Sequence, residues 1–138
     1  MKSFSDFCIL FAASFGAATI LPGSSEVVLY MMISRDHSLS LLFAVATAGN
    51  YLGALVNYYL GRFSAIPLAK RMEGGRYRLA MRWFSRWGHL SLLLSWVPIV
   101  GDPLTVIAGL TKMRVLRFSL WVLLGKGGRY AVLILLSQ

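Results

Sequence analysis

The chain has 138 residues, of which 57% are apolar and 14% charged, and its mean hydropathy is +0.67. That length allows one small domain, and the apolar excess favours an integral membrane protein over a soluble globule. A single cysteine, Cys8, excludes an internal disulfide and a cysteine-based metal site, and His37 and His89 have no ligand partners at metal spacing.

Four apolar segments follow one another. The first, residues 7–34, is broken at Pro22-Gly23; the second, 39–61, is unbroken and carries no charge. The third, 90–111, is broken from Pro98 to Pro103, and the fourth, 118–136, holds Lys126 and Arg129. Lys2, the run from Phe7 to Ile20 and the small residues Ala12, Ala13 and Ala17 have the outline of a signal peptide. Retention is expected, because the sequence that follows is still membrane-like. The second segment would run about 34 Å as a helix, enough to cross a bilayer with some tilt. Gly49, Gly53, Asn57 and Gly61 recur in it at four-residue spacing, a face that lets another helix approach closely. Asn50 and Asn57 on the same segment could also form a polar path.

Two breaks share one pattern. Pro22-Gly23-Ser24-Ser25-Glu26 and Pro98-Ile99-Val100-Gly101-Asp102 each place an acid four residues after a proline, and a glycine follows each acid by 23 residues, at Gly49 and Gly125. Acids beside helix breakers in membrane-grade sequence are costly to keep, and two in register suggest an internal repeat with a polar centre at membrane depth.

The net charge of +9 is unevenly placed. Residues 1–6 and 35–38 are each neutral overall. Residues 62–89 carry Arg62, Lys70, Arg71, Arg76, Arg78, Arg82 and Arg86 against Glu73, and residues 112–117 carry Lys112, Arg114 and Arg117. Basic loops stay in the cytoplasm. Both ends of 90–111 then face the cytoplasm and both ends of 7–34 face outward, so each broken segment enters and leaves on one face. The expected fold is therefore all-α: two re-entrant helical hairpins and two transmembrane helices in an inverted repeat. It forms a single membrane domain over 1–138, with repeats 7–61 and 90–138 and a basic cytoplasmic linker 62–89. Irregular backbone at membrane depth needs cover from protein or a wet cavity, and two hairpin tips meeting near the midplane would cover each other. Within the linker, Leu79, Ala80, Trp83, Phe84 and Trp87 recur at helical spacing opposite Arg78, Arg82 and Arg86. This predicts an interfacial amphipathic helix on anionic lipid, and accounts for the basic run without nucleic acid.

The chemistry falls on few residues. Ser24 or Ser25 caps the half-helix after the first break, which puts Glu26 in its first turn; Asp102 reads as an N-cap with Pro103 the first helical residue. Both acids are favoured at helix N-termini. Glu26 is the stronger candidate for a proton or substrate role, since a neighbouring serine already supplies the cap. Lys126 and Arg129, three apart on one helix face, are either charge partners of Glu26 and Asp102 or contacts to a lipid phosphate. Gly125-Lys126-Gly127-Gly128 is not a phosphate loop, because Leu120 stands where that pattern needs glycine and Gly127 where it needs Ser or Thr. No nucleophile–base–acid constellation appears, so the expectation is a non-enzyme without cofactor or metal.

Taken together, Leu21-Pro22-Gly23-Ser24-Ser25-Glu26-Val27-Val28, Gly49-Asn50, Gly61-Arg62, Leu94-Ser95-Trp96-Val97-Pro98, Val100-Gly101-Asp102, Ala108-Gly109, and Gly125-Lys126 with Arg129-Tyr130 resemble the DedA family, also called the SNARE-associated or VTT-domain family, and within it the short YqaA-like branch. The resemblance covers nearly the whole chain. It implies facing re-entrant hairpins in the bacterial inner membrane and a multi-pass lipid transporter, such as a flippase for undecaprenyl phosphate, dependent on the proton-motive force. Two departures stand out. Ser24 occupies the place of the family's Asp after the first Pro-Gly, and Ser95 and Gly101 stand where better-known members carry arginines around the second proline. Phosphate recognition by those arginines is not carried over; Lys126 and Arg129 are the cations available instead.

The leading expectation is a proton-linked flippase of a lipid or polyprenyl phosphate, with membrane lipids as partners. The hairpin tips would be Pro22, Gly23, Ser24, Ser25, Pro98, Gly101 and Pro103. The alternatives are a non-transporting scaffold or subunit, a homodimer through the glycine face included, and a small-cation or drug exporter.

Overall fold

The computed structural model describes residues 2–19, 24–35, 37–63, 75–97 and 100–136. The described secondary structure is helical: α1 (Lys2–Thr19), α2 (Ser24–Ile33), α3 (Leu39–Phe63), α4 (Gly75–Trp87), a 3₁₀ segment (Gly88–Trp96), α5 (Gly101–Leu110) and α6 (Val115–Leu136). Two helices, α3 and α6, are long and apolar enough to cross a membrane. Both leave large apolar side chains outward: Leu41, Leu52, Val56 and Leu60 on α3, and Leu116, Leu120, Leu124 and Leu135 on α6. A helix that is apolar on its outer face as well as its inner one suits lipid as solvent.

The central helix is α3, which packs against α1, α5 and α6. Two apolar clusters form around it. One joins Leu10 of α1, Leu29 and Met32 of α2, Leu42 and Ala46 of α3 and Tyr130 of α6. The other joins Ala54 and Tyr58 of α3, Leu92 of the 3₁₀ segment, Leu104 and Ile107 of α5, and Phe118 and Val122 of α6. The early part of α3 therefore meets the late part of α6 and the reverse, so the two long helices run in opposite directions. Asn50 lies between the clusters on α3 and Lys126 between them on α6, which makes a polar layer within an apolar core.

The glycine face of α3 is used inside the chain. A methyl group on Gly49 would lie 2.7 Å from the Phe11 carbonyl oxygen, and one on Gly61 would lie 2.1 Å from the Val106 carbonyl oxygen. Gly109 of α5 answers Gly61, with the Tyr58 carbonyl oxygen 1.9 Å from where its Cβ would stand. Backbones this close exclude any side chain, so α5 is seated directly on α3. A homodimer would have to use another surface.

Three local expectations differ from the structure. Asp102 is not the N-cap of α5: that position is Val100, without a side-chain cap bond, and the helix begins at Gly101. Gly101 lies against Ser95, whose carbonyl oxygen is 2.0 Å from the place of its missing Cβ. Starting two residues early on that close contact moves Asp102 and Pro103 inside the first turn, where proline's missing N–H costs nothing. Helix α4 turns most of its apolar side to protein: Leu79, Ala80, Trp83 and Phe84 pack on the second cluster, whereas Trp87 is exposed. Arg78, Arg82 and Arg86 remain exposed. The first arm of segment 90–111 is 3₁₀ rather than α-helical.

Candidate functional site: a charged layer between the two long helices

The polar layer is built on α6. Lys126 is 4% exposed, and its Nζ donates to Asn50 Oδ1 at 2.5 Å and lies 3.8 Å from Asp102 Oδ1. Asn50 turns its amide nitrogen the other way, donating to the Ser14 carbonyl oxygen and to the Tyr130 hydroxyl, both at 3.1 Å. One asparagine thereby links α1, α3 and α6, and its carbonyl oxygen helps to solvate a buried ammonium. A charge this far from water needs such a shell. Asn50 lies eleven residues after Leu39 and Lys126 eleven after Val115. At 1.5 Å per residue each is about 16 Å along its helix, a distance close to half the thickness of a bilayer core.

One turn further, Arg129 makes the second pair. Its Nη2 is paired with Glu26 Oε1, and its Nη1 donates to the Trp96 carbonyl oxygen at 2.9 Å. The guanidinium fork thus bridges the first turn of α2 and the end of the 3₁₀ segment. Arginine suits this place because its planar fork serves two acceptors at once. The pair borders a cavity of about 620 Å³, walled by Leu93, Trp96, Leu124, Val132 and Leu133 and floored at Gly128, where a Cβ would meet nothing within 4 Å. A smaller cavity of about 220 Å³ continues from Glu26 between α2 and the end of α6, past Leu29, Ile33 and Leu133. Apolar walls with a charged pair at one side make an amphiphile-shaped space.

The sequence-derived candidates therefore divide. Glu26, Asp102, Lys126, Arg129 and Asn50 come together in one layer. Asn57 is buried on α3 two turns from Asn50. Gly101 and Pro103 are buried in the first turn of α5. Ser24 and Ser25 open α2. Pro22, Gly23 and Pro98 lie outside the described residues. Sequence reasoning named Tyr130 only as part of the family motif and passed over Ser14, yet both hold Asn50. It also passed over a second polar cluster: Asp6 of α1 lies 3.1 Å from His37 Nε2 and 3.6 Å from Arg35 Nη1, which ties the turn after α2 to the start of α1. The groups are separated by about thirty residues and follow no period, so no sequence pattern signals them.

Comparison with known proteins identifies the lineage. Residues 9–138 match the VTT domain. The chain belongs to the VTT-domain, or DedA, family. It is 43% identical to the inner membrane protein YqaA of Escherichia coli over 88% of this chain and 83% of that protein. It is 39% identical to an uncharacterized protein of Haemophilus influenzae over 94% of this chain and 86% of that one. A more distant relative, 24% identical over 73% of this chain and 57% of its own length, is the undecaprenyl phosphate transporter A of Staphylococcus aureus. No solved structure matches. With YqaA as a relative and two spanning-grade helices, this VTT-domain protein is a protein of the bacterial inner membrane.

Proposed function

We propose that this VTT-domain protein moves a lipid phosphate across the inner membrane, with Arg129 as the headgroup contact and Glu26 as the proton-linked acid. The observation that carries this reading is the Glu26–Arg129 pair at the edge of the 620 Å³ apolar cavity. An anionic headgroup entering that cavity meets a guanidinium already committed to one carboxylate. Phosphate and Glu26 then compete for the same fork. When phosphate takes Arg129, Glu26, partly exposed at the edge of the apolar cavity, is left without its cation and takes up a proton, because an unpaired carboxylate against apolar walls is costly. Loss of that proton restores the pair and expels the headgroup. With the phosphate bound as a monoanion the net charge of the site is the same in both states, which keeps the exchange inexpensive at membrane depth.

Asp102 and Lys126 form the counterpart pair in the second repeat and anchor Asn50. The repeat itself is supported by one offset. Glu26 to Asp102 and Asn50 to Lys126 are both separations of 76 residues, and the second pair is in contact. Repeat-related residues that touch lie on or near the axis that relates the halves. On this reading the chain is an inverted repeat, 7–61 and 90–138, about the linker 62–89, with α1 and α2 as the arms of one re-entrant hairpin and the 3₁₀ segment and α5 as the arms of the other. The transporter name of the Staphylococcus aureus relative supports a polyprenyl phosphate as the substrate class. A lipophilic cation would meet Arg129 at the cavity, so the geometry favours an anion over the exporter alternative. The protein acts without chemical transformation of its substrate.

Binding tests the reading directly. Purified protein in nanodiscs should retain undecaprenyl phosphate over the matching neutral polyprenol, and Arg129→Gln should remove that preference. Equal retention of both lipids by the unmodified protein would dismiss the assignment.

A further inference from the structure

A second charged cavity lies away from the midplane, where α3 ends and α6 begins. It measures about 470 Å³ and is lined by Tyr58, Tyr59, Arg62, Lys112, Arg114 and Leu116, among others. The three cations come from separate stretches: Arg62 from the last turn of α3, Lys112 and Arg114 from the connection between α5 and α6. Arg62 is held in place, since its Nη1 donates to the Tyr58 hydroxyl at 2.9 Å and that hydroxyl in turn bonds the Met113 carbonyl oxygen. The acids among the described residues are engaged elsewhere: Asp6 with His37 and Arg35, Glu26 with Arg129, Asp102 with Lys126.

The backbone adds an independent observation. Helix α5 closes with Lys112 N–H on the Gly109 carbonyl and Met113 N–H on the Ala108 carbonyl. This double closure puts Lys112 in the left-handed region, with φ of 55°. Glycine normally fills that position, and a lysine there costs about 1 kcal/mol. The chain keeps a side chain where backbone energetics favour none, and that side chain lines the basic cavity. Leu116, which lines the cavity, is 82% exposed, and Phe63, stacked on the lining residue Tyr59, is 76% exposed. Arg114 is twelve residues before Lys126, about 18 Å along the helix axis, which is headgroup depth if Lys126 sits at the midplane.

We infer that Arg62, Lys112 and Arg114 form a binding site for the phosphate of an anionic membrane lipid, on the face that the charge bias assigns to the cytoplasm. The cavity receives the headgroup and the exposed Leu116 and Phe63 flank its acyl chains. Basic pockets of this kind between membrane helices suit anionic headgroups, at about 1 kcal/mol for each cation near the surface. The site is independent of whether the midplane layer transports anything.

Retention of phosphatidylglycerol by the purified protein, followed by native mass spectrometry with phosphatidylcholine as reference, tests it. Phosphatidylglycerol should bind preferentially. Lys112→Gly should lower that affinity about fivefold, the equivalent of one cation, while leaving the fold as stable or more so, which separates binding from folding. Tyr58→Phe, which frees Arg62 without changing charge, should weaken binding as well. Arg82→Gln with Arg86→Gln, on the exposed side of α4, should leave it unchanged. Equal loss in the α4 variant, or none in Lys112→Gly, would overturn the site in favour of diffuse charge. Displacement of phosphatidylglycerol by millimolar inorganic phosphate would overturn the lipid assignment in favour of a free anion.

Discussion

Asn50 and Lys126, 76 residues apart in the chain, share a hydrogen bond at the centre of the molecule. Lys126 is nearly inaccessible, and its ammonium has Asn50 and Asp102 as its polar surroundings among the described contacts. Lys126→Met keeps the length of the side chain and removes the charge. It leaves the Asn50 carbonyl and the Asp102 carboxylate without their shared cation. The expected loss is about 2–3 kcal/mol, less than for a fully buried pair because Asp102 is partly exposed. Thermal unfolding in detergent, compared with the unmodified protein, checks this.

The glycines predict opposite outcomes at neighbouring scales of contact. Gly61→Ala and Gly109→Ala each force a methyl group into a carbonyl oxygen of the facing helix. Separation of α3 and α5 should cost about 3 kcal/mol. Gly128→Ala, where nothing lies within 4 Å, should be neutral or gain about 0.5–1 kcal/mol from helix propensity. The same melting experiment reads all three.

Glu26 and Arg129 should be energetically coupled. In a double-mutant cycle of Glu26→Gln and Arg129→Gln, the interaction should come to about 1 kcal/mol of stability, since both side chains are partly accessible in the cavity. A coupling near zero would mean that the pair does not hold α2 in place.

Much of this layer is legible in the sequence because charge in apolar sequence is rare enough to count. Two acids and two cations announce a balanced centre. Which acid meets which cation is not legible: it depends on the reach of Arg129 across the cavity and on where α5 begins. Reading Asp102 as a cap follows from its neighbour Pro103, yet the close seating of Gly101 on Ser95 starts the helix earlier and frees the carboxylate for Lys126. The amphipathic pattern of α4 locates the helix correctly, but a pattern cannot say whether an apolar face meets lipid or protein, and here all of it but Trp87 meets protein. The cluster of Asp6, Arg35 and His37 depends wholly on tertiary approach.

That cluster carries a prediction of its own. Asp6→Asn removes the charge that faces Arg35 and weakens the contact with His37. The turn between α2 and α3 should open more readily, by about 1 kcal/mol. Faster amide exchange at residues 34–38, with exchange in the middle of α3 unchanged, is the expected signature.

The exchange of Glu26 for a lipid phosphate on Arg129 is best tested by translocation itself. Undecaprenyl phosphate is placed in one leaflet of proteoliposomes, and its crossing is followed with and without a proton gradient. The unmodified protein should move the lipid faster under the gradient. Glu26→Gln should bind the lipid but fail to carry it across, because no carboxylate remains to reclaim Arg129, and it should remain folded. Undiminished crossing by Glu26→Gln, or no crossing by folded unmodified protein, would contradict the account.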